Sequence, residues 1–446
     1  MLILLAHLHA ALLFVPGASA GVYDVVRYGA RPDGVTDSTL AFLRAWADAC
    51  RSPRQATVLV PPGMFLVGSV TFTGPCATHA VTFSVAGTLV APNGYGWDAT
   101  TGRWITFESV EGLTVSGGVL DGRGNSLWSC KRQQQQQPHV HCPTGASSLT
   151  ISNSRDVVVD GLRSTNSELF HVVVLQSHGV TLQQVTVDAP EDSPNTDGIH
   201  IHMSSNVAVN NADIRTGDDC ISIGPGNSNL WIERVSCGPG HGISIGSLGK
   251  QQGMAIEAVQ NVTVKTTWFT GTTNGFRIKT WGSSKRGFVS GVTFVDSTMI
   301  GVHNPIIIDQ NYCPGKTWCT DQVIIHEYTY FITRHPSVYL ICRVFLFQYY
   351  LDISLVSAMC LLFYLYFGVC CFQSSSIKIS QVKYIDIRGW SMTPVAVTFN
   401  CSRSNPCSGI SLQNVRLIYK GLRATKSSCR NAQGRTLGLI TPPSCL

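Results

Sequence analysis

Charge is scarce in this sequence. Asp, Glu, Lys and Arg make up 13% of the 446 residues, against roughly 25% in an average globular domain. No cluster of Arg and Lys interleaved with aromatics occurs, so nucleic acid is not an expected partner. The formal net charge of +6 is diffuse and weakly favours an acidic one. No standard metal-ligand spacing occurs either, and neither a metal nor an organic cofactor is expected. The n-region of the apolar N-terminus lacks Lys and Arg. Its remainder, "MLILLAHLHAALLFVPGASA", still has the shape of a secretory signal, with Ala18-Ser19-Ala20 as the cleavage site and residues 1–20 removed.

Glycine and cysteine, by contrast, are plentiful, at 42 and 16 residues. Sixteen cysteines in a secreted chain imply disulfides. Twelve fall into close sequential pairs, and pairing within each is the expectation: Cys50–Cys76, Cys130–Cys142, Cys220–Cys237, Cys313–Cys319, Cys401–Cys407 and Cys429–Cys445. The other four, Cys342, Cys360, Cys370 and Cys371, share one unusual segment. Asn261-Val-Thr and Asn400-Cys-Ser match the glycosylation sequon.

Short period-2 apolar triplets recur after small polar residues, as in "GVTLQQVTVDA" from 179, "NVAVNNADI" from 206 and "NVTVKTTWF" from 261. The first apolar positions of five units are Val180, Val207, Leu230, Val262 and Val292, at steps of 27, 23, 32 and 30 residues. No long amphipathic helix lies between them. A unit this small cannot bury its own apolar row, whereas stacked coils share one core. The expected fold is all-β, a right-handed parallel β-helix, over a single domain from 21 to 446. A β-sandwich is the alternative, since short alternating strands suit it too. Residues 37–50 predict one capping helix, with Asp37 as N-cap and Leu40, Leu43 and Trp46 on one face. "KRQQQQQPHVHC" from 131 reads as a polar low-complexity loop.

Three neighbouring units carry unusual polar groups. "SPNTDGIHIHM" holds Asn195 and Asp197, "TGDDCISIG" holds Asp218 and Asp219, and "CGPGHGISIGSLG" holds His241. From Asp197 to Asp218 is 21 residues and from Asp219 to His241 is 22, so solenoid spacing places them in adjacent rows. Neighbouring carboxylates repel, and in a strand they would point to opposite faces. Gly217 would let the backbone bend so that both face one groove. "NGFRIKTWG" adds Arg277 and Lys279, outward on either side of Ile278. Close carboxylates push one pKa up and leave another ionised, the division that glycoside hydrolysis needs. Cations beside them suit an anionic sugar.

Taken singly, each element has an ordinary structural explanation. Asn-Thr-Asp-Gly is a common turn, Asp-Asp a solvated one, and Arg277 and Lys279 a solvated strand face. His200 and His202 read as an exposed face in preference to a metal pair. The signal is the constellation.

"NTDG", "GDDC", "GHGISIGSLG" and "RIK", in this order, resemble the polygalacturonases of glycoside hydrolase family 28, especially secreted plant ones. The resemblance covers 22–322 and 374–446. It implies a right-handed parallel β-helix and inverting hydrolysis of α-1,4-galacturonan. It implies Asp218 as general acid, Asp197 and Asp219 as activators of water, and His241 as support for the acid. Arg277 and Lys279 would bind substrate carboxylates, with Tyr312 of "DQNYC" and Asn195 as further substrate contacts. A β-eliminating lyase and a non-catalytic wall-binding protein are the competing functions. The partner expected is an acidic polysaccharide, and the chain is expected to be monomeric, extracellular and in the cell wall.

Residues 323–373 stand apart. They hold 13 of the chain's 40 aromatic residues and one Gly in 51 positions. Ile353 to Phe372 is long and apolar enough to span a bilayer. A genuine span is not expected, because it would part Ser374–Leu446 from the solenoid those strands complete. Val codons begin with GT and a Gln codon can end in AG, and T-rich DNA encodes this composition. The step from Val292 to Ile377, the next unit's first apolar position, is 85 residues, or 34 without the segment, close to the following step of 33 to Ile410. The segment reads as a translated intron.

Overall fold

In a computed structural model, the residues described are 21–96, 101–137, 139–250, 253–314, 375–420 and 424–446. The proposed leader and the segment 323–373 lie outside them. Among the described residues every strand pairing is parallel, within a 20-stranded and an 11-stranded sheet. The chain winds as a right-handed parallel β-helix, which excludes the sandwich.

The apolar triplets are the coils. Val180 pairs with Val207, Val207 with Leu230, Leu230 with Val262, and Val262 with Val292. All five side chains are buried, each stabilising the fold by about 1.5–3 kcal/mol relative to exposure. The next partner of Val292 is Val382, whereas spacing from Ile377 would have placed it five residues earlier. Ile377 pairs with Gly287.

Corners explain the small polar residues before each triplet. Asn206, Asn229 and Asn261 all take left-handed backbone conformations, which Asn tolerates better than most residues. Their amides form a ladder, Asn229 Nδ2 donating to Asn206 Oδ1 and Asn261 Nδ2 to Asn229 Oδ1, both at 3.2 Å.

Helix α1 (Thr39–Arg51) packs on the first coils. Its buried face is Phe42, Ala45, Trp46 and Ala49, while Leu40 is 58% exposed. The expected face was therefore rotated. Phe42 and Trp46 turn inward because the rings of Phe65, Phe72, Phe83 and Phe107 line the end of the core. Ser38 is the N-cap, and Asp37 Oδ1 accepts from the Thr39 N–H at 2.9 Å.

Helix α2 (Asn125–Gln136) corrects the loop reading of 131–136. Gln and Arg are good helix formers, and Leu127, Trp128 and Cys130 anchor the helix. Five of the six expected disulfides are formed; Cys319 of the sixth lies outside the described residues. Among the described residues no helix is long and apolar enough to cross a membrane.

Candidate active site

Asp197, Asp219 and His241 each stand two residues ahead of an equivalent strand residue. Those residues are Ile199, Ile221 and Ile243, stacked in register in the 11-stranded sheet. The ladder partner of Asp197 is thus Asp219, and Asp218 is the additional acid in front of it. Both aspartates sit in the turn between strands Ser205–Arg215 and Ile221–Ile223, so strand alternation does not separate them. Gly217 serves this turn by close approach: a Cβ there would lie 2.1 Å from Ser193 O. Beneath the turn, Thr196 and Thr216 link hydroxyls at 2.8 Å, and Thr216 Oγ1 also donates to the Thr196 carbonyl.

The two neighbouring acids live in different surroundings. Asp219 is 1% exposed. Its Oδ1 accepts from Ser244 Oγ at 2.7 Å and Arg277 Nη2 at 2.6 Å, and its Oδ2 from Lys279 Nζ at 2.8 Å. Burial alone would raise its pKa, but the Arg277 and Lys279 charges and the bonds from Lys279 and Ser244 outweigh it and hold Asp219 below the usual carboxylate range. Asp218 keeps 21% of its side chain exposed. Its Oδ1 accepts from the Asp219 N–H at 2.8 Å and lies 3.0 Å from His241 Nδ1. Asp197 is the reverse of Asp219. Burial first, then the Asp218 and Asp219 charges, push its carboxyl well above the ordinary range.

Arg277 and Lys279 flank buried Ile278 as expected, yet they are paired with Asp219 in place of being solvated. Lys279 Nζ also lies 5.4 Å from the centroid of the Tyr312 ring, which packs edge-on against Trp281. Asn195 occupies an exposed left-handed corner two residues before Asp197. Asp218, Asp219 and His241 could offer ligand atoms within 4.8 Å of one another. The two cations on Asp219 oppose a metal ion there.

Two contributors, Ser244 and Asp309, went unnoticed in the sequence. Ser244 bridges Asp219 and Arg277, accepting from Arg277 Nε at 2.9 Å. Its signal was its outward position three residues after His241. Asp309, in register with Lys279, has its pKa raised by burial. His200 and His202 are half-buried and stacked, not on an exposed face.

Carboxyls whose pKa values are pushed apart, set beside Arg and Lys on one face of a parallel β-helix, define a glycan-cleaving enzyme. The sequence profile of "Glycosyl hydrolases family 28" matches residues 50–330 and 362–445, and the chain belongs to that family. A polygalacturonase of Prunus persica is 46% identical over 429 residues, covering 96% of this chain and 94% of that one. An exopolygalacturonase of Platanus acerifolia is 37% identical, covering 95% and 98%. Among solved structures, a polygalacturonase from Erwinia carotovora superposes with a TM-score of 0.66 at 21% identity, over 90% of this chain and 94% of that one. A hyperthermoactive exopolygalacturonase from Thermotoga maritima gives 0.67 at 16%, over 93% and 90%. These two share the fold.

Proposed function

We propose that this glycoside hydrolase cleaves the α-1,4-galacturonosyl linkages of pectin's galacturonan backbone with inversion. The observation that carries the reading is the placing of the part-exposed Asp218, held by His241, beside a buried pair of carboxyls shifted in opposite directions, Asp197 upward and Asp219 downward, with Arg277 and Lys279 on Asp219. Asp218 is the acid with side-chain surface open to the groove, and it protonates the leaving oxygen; His241 against its Oδ1 supports that proton. Asp219, kept ionised, and Asp197, which shares the local proton load, activate the attacking water as a pair. Arg277, Lys279 and Tyr312 engage substrate carboxyl and ring, and Asn195 meets it at the rim. The names of the Prunus and Platanus relatives support galacturonan as substrate.

The disulfides among the described residues fit an oxidising compartment, in keeping with secretion to the cell wall after loss of 1–20. The protein acts as a monomer and residues 21–446 form one catalytic domain, with 323–373 foreign to it. One assay tests the activity: release of reducing ends from polygalacturonate, read together with ultraviolet absorbance and product sizing. Reducing ends without an absorbing product support hydrolysis. An absorbing unsaturated product would establish elimination instead, and binding with neither product would establish a wall-binding protein.

A further inference from the structure

A hollow of about 440 Å³ lies on the 11-stranded sheet, the sheet whose strands follow the acids, with Phe170, His200, His202, Gly224, Pro225 and Ser247 in its lining. The Phe170 and His200 rings stack with centroids 4.6 Å apart, and His202 lies parallel to His200 at 5.9 Å. Ser222 Oγ, 2.7 Å from His200 Nδ1, pins the middle ring.

This stack has a fixed place relative to the cations. His200, Ser222, Ser244 and Arg277 occupy one register row, so three coil steps separate the imidazole from the guanidinium, about 14 Å at the usual strand spacing. In the next outward row, Gly224 and Gly246 come between His202 and Lys279. A Cβ on Gly224 would lie 2.6 Å from His202 Nδ1, and one on Gly246 2.1 Å from Lys279 O. The two glycines leave a gap in the row where side chains would otherwise stand.

The hollow is also short of charge. Among the described residues that line it, Arg103 alone is a permanent ion. Arg103 pairs with Ser147, three coils from His200 on the side away from the acids. Burial pushes both imidazoles down, His200 to about 4.

We propose that Phe170, His200 and His202 form a subsite that receives a galacturonosyl unit by its ring face and prefers that unit methyl-esterified over ionised. The proposal rests on the galacturonan reading above. A carboxylate seated against the stack loses part of its hydration and meets no cation in contact with it, since Arg103 lies three coils to one side and Lys279 on the other side is already paired with Asp219. A methyl ester loses little, and its sugar C–H face packs against the rings. Around Arg277 and Lys279 the preference runs the other way. The groove thus reads an ester pattern: an ionised unit near the acids and a neutral one at the stack.

The test uses the enzyme as secreted by its host. Equilibrium binding of oligogalacturonides, fully acid or methyl-esterified, is measured in an Asp218→Asn background, and products of partly esterified galacturonan are sequenced by mass spectrometry for the active enzyme. The esterified ligand should bind more tightly, and products should carry ester at one fixed distance from the cut. His202→Arg places a cation in the hollow and should move the ester-to-acid binding ratio toward acid by roughly tenfold, the low end for a charged contact. His202→Gln, still neutral, should keep the ester preference and control for a folding defect. Tighter binding of the acid ligand by the parent, scattered ester positions, or a ratio that His202→Arg leaves unmoved would overturn the subsite. If galacturonan is still hydrolysed in that case, the activity stands and the subsite alone falls. Absence of all galacturonan binding and cleavage would overturn both.

Discussion

Lys279 and Asp219, 60 residues apart in the chain, meet at 2.8 Å in a site where Asp219 has almost no contact with water. Neither residue fits its surroundings alone. The lysine offsets a buried negative charge, and the aspartate holds the lysine at the groove floor. Charge is rare in this chain, and here it is concentrated.

Lys279→Met should therefore lower both stability and activity. Removing one partner of a buried pair costs about 3–5 kcal/mol, here softened by the remaining Arg277 contact. A double-mutant cycle with Asp219→Asn checks it: denaturant midpoints should recover in the double variant, and kcat/KM should not. Full additivity of the two stability losses would contradict the pairing.

Asp218→Asn should lower kcat on polygalacturonate by at least about 10²-fold, the low end for a general acid. The thermal midpoint should barely move, because the amide oxygen can still accept from the Asp219 N–H. A variant with more than half of the parent kcat would remove Asp218 from the acid role.

Substituting Arg277 by Ala should weaken galacturonan turnover beyond what any loss of fold explains. A charged contact to a substrate carboxylate contributes roughly 1.5–3 kcal/mol. The measurement is kcat/KM at a temperature where circular dichroism shows the variant folded. An unchanged value would leave Arg277 as a partner of Asp219 only.

Opposite shifts on Asp197 and Asp219 give opposite pH dependences. Asp219 titrates below its unfolded value near 3.8; its contribution is present above pH 3.8 and fades as pH falls through its folded pKa. Asp197 titrates above 3.8, so ionisation in the unfolded chain erodes stability as pH rises from 3.8 toward its folded pKa. Asp197→Asn should accordingly gain on the parent with rising pH. Melting temperatures from pH 4 to 7 measure this, and a gap that stays constant or shrinks would contradict the raised pKa.

A chain lacking 323–373 should fold and hydrolyse galacturonan, whereas the full chain should aggregate through its long apolar run. On either side of the segment the chain returns to one place: Tyr312 pairs with Trp281, and Ser375 Oγ lies 2.9 Å from the hydroxyl of Thr280. The family match likewise skips 331–361. The step from Val292 to Val382 is 90 residues, or 39 without the segment. Sequencing of mature transcripts and peptides from the secreted enzyme decides; active enzyme yielding peptides from 323–373 would refute it.

The coil register was legible because a stacked core repeats one demand at each turn: Val180, Val207, Leu230, Val262 and Val292 fill equivalent places. It slipped at Ile377 because the corner of that coil is Gln381, a left-handed residue without the Gly or Asn that marked the other corners. Leu40 misled for a related reason. Period alone gives a helix two comparable faces here, and the aromatic end of the core chooses between them. The acids could be gathered from spacing. That Asp219 is the buried rung and Asp218 the open one could not, since it depends on Ser244, Arg277 and Lys279 arriving from later coils. The burial of His200 and His202 is not legible locally, because nothing in their segment announces Phe170, 30 residues earlier.

The asparagine ladder has a consequence for ancestry. Asn206, Asn229 and Asn261 bond rung to rung across coils of unequal length, so the corner geometry is indifferent to how much chain a coil carries elsewhere. Such a scaffold can lengthen by duplicating a turn, or sprout a loop from one, while the rungs on either side keep their spacing. Distances along the groove then change only in whole strand steps of about 4.8 Å. Diversification within this architecture would move recognition elements toward or away from the cutting point by discrete increments, as beads are added to a string, and leave the cutting point itself undisturbed.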